Sequence, residues 1–147
     1  MSFIQDSYAL AAETLKKKFA KRNMDAFYCA TKEEAKNRIL SMIPEGSSVT
    51  WGGTESMEEA GVCEAIRTGN YEFIDRKSAK TPEEARALYG KVVCADYFLT
   101  STNAFTTDGE LVNIDGASNR VACIAHGPAH VIVLASMDKM CASVEDA

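Results

Sequence analysis

Residues 95–135 read "ADYFLTSTNAFTTDGELVNIDGASNRVACIAHGPAHVIVLA", and the order of patterns within this stretch decides the fold class. The apolar opening "ADYFLTS" predicts a strand. The Asp108-Gly109 pair between "NAFTT" and "ELVNI" is a hairpin signal, because glycine supplies the positive φ that a tight turn needs. "SNRVACIAHGP" then predicts a short helix, with Ser118 as its cap and Gly127 at its stop. "HVIVLA" is so continuous in apolar residues that it predicts a last strand buried on both faces. A strand followed by a helix and a second strand implies a crossover to a parallel neighbour, here interrupted by one antiparallel excursion.

The same alternation extends upstream. Ile4, Tyr8, Ala11, Ala12, Leu15 and Phe19 recur at helical spacing behind Ser2, predicting an amphipathic helix over 3–21. "DAFYCA" predicts a short strand over 25–30. Thr31 and Glu34 form a capping box for a helix over 32–43, which Pro44 and Gly46 end. "SSVTW" is a strand, and Gly52 and Gly53 turn it into a helix over 56–68 with Ser56 and Glu59 as capping box and Gly69 as stop. "YEFID" is a further strand, and Thr81, Pro82 and Glu84 open a helix running to about Tyr89. The tail "MDKMCASVEDA" has no clear pattern and is expected to fray. These elements predict a single α/β domain over 1–147, a mostly parallel sheet with helices on both faces.

Composition narrows the function. The 147 residues carry a net charge of -5, and the basic residues concentrate in "KKKFAKR" on a solvated helix face, so nucleic acid is not an expected partner. No apolar run approaches the roughly 20 residues that cross a bilayer, and the N-terminus has its charges after its apolar positions, the reverse of a signal peptide. A cytoplasmic protein with no membrane contact is expected. Cys29, Cys63, Cys94, Cys123 and Cys141 are scattered without a C-x-x-C pair, which suits reduced thiols and provides no cluster or zinc ligand set.

Ligands of open α/β sheets bind outside the carboxyl ends of the strands, and two polar segments fall there. The first is "TWGGTES", where Gly52, Gly53 and Thr54 lead into a helix N-terminus that favours an anion. It lacks the lysine and spacing of a phosphate loop, and Glu55, Glu58 and Glu59 would repel a polyanion, so a single carboxylate or phosphate is the expected ligand. The second segment brings Asn103, Asp108, Asn113, Asp115, Gly116, Asn119 and Arg120 towards the end of one strand and the start of a helix. Asp108 and Asp115 are the candidate catalytic groups, since carboxylates can move protons and amides cannot. Each also has a local-structure reading, Asp108 as a turn residue and Asp115 as a backbone binder. Arg120 is expected to stand free to meet a carboxylate, and the two segments to share one rim. His126 and His130 are separated by the helix-breaking Gly127 and Pro128, so no metal is assigned. Cys123 has no histidine base that the sequence places beside it.

The 95–135 stretch, with "VTWGGTES" upstream, resembles the lactate-utilisation domain, the LUD or LutC/YkgG-like family. The resemblance implies a three-layer fold related to ribose phosphate isomerases and CoA transferases. It also implies a part in oxidising L-lactate to pyruvate alongside iron-sulfur partner proteins, and a chain that stops short of a C-terminal extension. More distantly, "STNAFTTDGELVNIDGAS" is similar to a sugar-phosphate aldose-ketose isomerase pattern in which Asn103 takes the place of a catalytic aspartate, while Asn113 and Gly116 match. An amide there disfavours isomerisation.

Two readings share this pocket. One is a cytoplasmic component of organic-acid utilisation that holds a small anionic metabolite, with no cofactor of its own because the sequence carries no dinucleotide fingerprint or cluster spacing. The other is a non-catalytic metabolite sensor or assembly subunit, and an isomerase or CoA-transferase-like enzyme is a third. A homo-oligomer is left open.

Overall fold

The computed structural model describes residues 2–147. Four strands form a parallel sheet: β1 (Ser48–Trp51), β2 (Glu72–Phe73), β3 (Tyr97–Thr100) and, numbered in chain order, β6 (His130–Val133), arranged β2-β1-β3-β6. The hairpin strands β4 (Ala104–Thr106) and β5 (Leu111–Val112) pair antiparallel and make a second sheet with β7 (Met140–Cys141), in the order β5-β4-β7.

Side chains of a strand alternate between faces, and β3 shows how this builds two cores. Leu99 packs with Val49 of β1 against α2 (Lys32–Met42), α3 (Glu55–Glu59) and α4 (Val62–Thr68), whose Ile39, Met57, Val62, Cys63 and Ile66 are buried. Phe98 faces the other way, onto Val92 of α5 (Pro82–Val93) and Cys123 of α6 (Asn119–His126). The result is the expected three-layer α/β arrangement. The first helix, α1 (Phe3–Ala20), starts at Ser2 with a complete capping box and packs Phe19 near Phe105 of the hairpin. No helix among the described residues is long and apolar enough to cross a membrane.

Several local expectations are corrected. Residues 25–30 form no strand; the backbone pairs with no other strand, with Phe27 and Tyr28 lining an apolar groove beside β6. The helix expected over 56–68 is two helices, and Thr54 rather than Ser56 caps the first, its hydroxyl accepting the Met57 amide at 3.4 Å. Met57 and Val62 would lie about 140° apart on one continuous helix. Gly61, with φ of 77°, breaks the chain between them so that both reach the same core. The helix opened by Pro82 continues past Tyr89 to Val93. Strand β6 is a sheet edge with His130 exposed and Val131–Val133 half-buried, rather than a strand sealed on both faces. The tail does not fray: it forms a 3-10 turn at Met137–Lys139 and then β7, which pairs with β4.

Candidate ligand cleft at the sheet rim

Beyond Trp51 the chain must pass close to α6, and Gly52 permits this. A Cβ built on it would lie 3.4 Å from both Cγ of Arg120 and Cζ of Phe98, whereas one on Gly53 would meet nothing. The glycine loop and the polar segment after β3 therefore meet at one rim. They border a cleft of about 890 Å³ whose wall includes Gly52, Gly53, Thr54, Asn103, Asp115, Asn119 and Arg120.

Arg120 does not stand free in it. Its Nε donates to Asp115 Oδ1 at 2.8 Å, Nη1 to the Ser101 carbonyl at 3.2 Å, and Nη2 to Asn103 Oδ1 at 2.6 Å and the Ile114 carbonyl at 3.3 Å. The Arg120 and Asp115 side chains are only 13% and 10% exposed. The expectation of a free guanidinium is corrected: Arg120 ties the end of β3 to the return of the hairpin.

Asp115 is equally occupied. Its second oxygen accepts the Val121 amide at 2.6 Å, capping α6. Ser118, expected to be that cap, sits at φ of 58° and makes no side-chain cap bond. Burial works to raise the Asp115 carboxyl, but the bonds from Arg120 and the Val121 amide outweigh it and hold the group below its ordinary value.

Asp108 lies elsewhere. It sits at the hairpin turn, where Lys18 Nζ at 2.7 Å and Arg22 Nη2 at 3.0 Å anchor it to the first helix and the residues just past it. Bonds from these two cations, Lys18 foremost, lower its carboxyl. Asn113 and Gly116 do not border the cleft, and the buried Asn113 Oδ1 has no hydrogen-bond partner among the described residues. Asn119 borders it while its Oδ1 accepts the Arg120 amide at 3.0 Å. His130 stacks on Tyr97 with ring centroids 4.8 Å apart, and His126 ends α6.

The lining also includes Trp51 and Glu58, which belong to the glycine-loop segment, and Arg67 and Phe73, which the sequence reading missed. Trp51 stacks on Phe73 at 4.1 Å, and the Arg67 guanidinium lies 5.0 Å above the Trp51 ring. Glu58 binds Arg67 through both oxygens, at 2.7 and 3.2 Å, and the bond from Arg67 lowers its carboxyl. Arg76 and Lys77 also line the cleft. Neither side chain makes a hydrogen bond or ion pair among the described residues, so these are its uncommitted cations. A signal for them existed, because both directly follow "YEFID" and so fall at a strand's carboxyl end. A separate cavity of about 640 Å³ beside β6 has walls dominated by apolar side chains such as Leu15, Phe27, Ile39 and Ile132. Its charged and amide residues, Lys16, Asn23, Asp25 and Arg38, are fewer than those at the rim.

Residues 12–147 match the LUD domain family. The chain belongs to that family. No curated protein and no solved structure matches it. Membership links this LUD domain to lactate utilisation in general. The match spans the glycine loop, the hairpin and the 3-10 turn at Met137–Lys139, so every wall of the rim lies within it.

Proposed function

We propose that this LUD domain binds the carboxylate of a small organic acid, L-lactate or pyruvate, in the rim cleft. On this reading it is a cytoplasmic component of L-lactate to pyruvate oxidation, of the LutC/YkgG-like kind and akin in fold to isomerases and CoA transferases. The observation that carries the reading is the pair of uncommitted cations, Arg76 and Lys77, in the same cleft as the Gly52-Gly53 loop. A carboxylate there gains charge-assisted hydrogen bonds, while Glu55, Glu58 and Asp75 in the same wall select against a polyanion. Oxidising lactate to pyruvate removes two electrons and two protons, and iron-sulfur partner proteins are the proposed acceptors.

Isothermal titration with L-lactate and with pyruvate tests the reading. Saturable binding is expected, weakened about tenfold or more in Arg76→Ala. Absence of heat with both acids, or unchanged affinity in Arg76→Ala, overturns it. A non-catalytic sensor or assembly subunit is favoured by one observation: both Asp115 oxygens are engaged, so that carboxylate is poised to position a helix rather than to move a proton.

A further inference from the structure

The end of β3 carries a second cation that the cleft does not use. Lys139 closes the 3-10 turn Met137–Lys139, and the pairing of β7 with β4 holds that turn in place. Its Nζ donates to Ser101 Oγ at 2.9 Å and to the Thr102 carbonyl at 3.0 Å. Ser56, at the start of α3, donates its hydroxyl towards the same Ser101 Oγ across a long 3.5 Å. Two hydroxyls and an ammonium thus converge where β1 and β3 end, the part of a parallel sheet where ligands bind.

The charge balance is incomplete. An ammonium has three protons, and two are used here on neutral acceptors. Lys139 makes no ion pair among the described residues. The residues that accept its bonds are buried, Ser101 at 7% and Thr102 at 1% exposure. A half-buried charge held only by neutral oxygens is costly, and an anion relieves that cost. The neighbouring cation differs in this respect: Arg120 donates to the Ser101 carbonyl, but Asp115 already neutralises it.

We infer that Lys139 and Ser56, both held on Ser101 Oγ, whose own proton goes to the Thr102 carbonyl, form a second oxyanion seat at the rim, one that takes the carboxylate or phosphate group of a small metabolite. The third ammonium proton is the donor left for it, and the Ser56 hydroxyl can turn to it from its long 3.5 Å contact with Ser101. None of the three residues belongs to the cleft wall, so the seat stands independently of the cleft reading.

Amide spectra of the full chain, titrated separately with acetate and with inorganic phosphate, test this inference and tell the two oxyanions apart. Saturable shifts at Ser56, Ser101, Thr102 and Lys139 are expected with at least one of them. Lys139→Gln should weaken that binding about tenfold or more, and Ser56→Ala several-fold. Ser56→Ala also decides the matter if Lys139→Gln fails to fold, because Ser56 gives up only the 3.5 Å contact. Shifts confined to Gly52, Gly53, Arg76 and Lys77 overturn the seat and leave the cleft reading standing. Shifts confined to the Lys139 group support the seat and count against the cleft, and no saturable shift at either place overturns both.

Discussion

Arg120→Ala should be among the most damaging single changes outside the apolar core. The substitution removes four hydrogen bonds and leaves Asp115, whose side chain is 10% exposed, without its counter-ion. Breaking a buried ion pair by removing one partner costs about 3–5 kcal/mol. The lower end applies here, because Asp115 keeps the Val121 amide at 2.6 Å. A loss of about 3 kcal/mol is a large part of the roughly 5–15 kcal/mol that holds a domain folded. At about 2–4 °C per kcal/mol for a chain of this size, the melting temperature should fall by about 6–12 °C. Circular dichroism melts at neutral pH measure it. The pH dependence provides a second check. The Asp115 carboxyl is lowered in the folded state, so the stability it contributes is present above its ordinary pKa and is lost as pH falls through the folded value. The gap between wild type and Arg120→Ala should therefore close below about pH 4. A shift under about 2 °C at neutral pH would refute the bridge and return Arg120 to the role of a free anion clamp.

Two further outcomes follow from the packing. Gly109→Ala should destabilise by at least about 1–2 kcal/mol, because φ of 85° disfavours an L side chain and the added Cβ would lie 3.0 Å from the Lys18 backbone. A variant melting within about 1 °C of wild type would mean that the hairpin does not dock on α1 this closely. All five cysteines are free, and in the native protein a thiol reagent should modify exposed Cys94 first and buried Cys63 and Cys123 last. Burial, with Glu58 nearby, pushes the Cys63 thiol up to about 12, so it should react only on unfolding. Fewer than five thiols after denaturation without reductant, or early loss of Cys63, would contradict the structure.

The order of elements was legible because local signals agreed with tertiary use: capping residues, stop glycines and the Asp108-Gly109 turn act within a few residues. Failures occurred where pairing with distant chain decides the outcome. The apolar and aromatic run in "DAFYCA" is genuine, but its side chains serve a groove and its backbone finds no strand to pair with. "HVIVLA" has the composition of a central strand yet lies at an edge, since composition does not say which neighbours are present. The tail lacks any periodicity, and only the parallel partner β4 makes two of its residues a strand. The break at Gly61 was hidden because "SMEEAGVCEAIRT" is helical on both sides of it.

At the site, the residue types were legible and their availability was not. Arg120 was the natural choice for an anion partner, because it is the single arginine in a polar segment at a strand end. Whether a guanidinium is free depends on which carboxylate lies within reach. Asp115 precedes Arg120 by five residues, and the turn between them brings the two to 2.8 Å. Arg76, Lys77 and Lys139 lie in stretches with no motif, yet their side chains form no ion pair among the described residues. An anion will gain more from such groups than from Arg120, whose charge it would share with Asp115 and whose bonds it would have to break. Arg76→Ala should therefore impair anion binding at unchanged fold, and Lys139→Gln should impair it by more than any loss of native population accounts for. Arg120→Ala should impair it only through the fold, so its loss of affinity should track its loss of native population as temperature is raised. Equal loss of affinity well below its melting transition would place the guanidinium on the ligand after all.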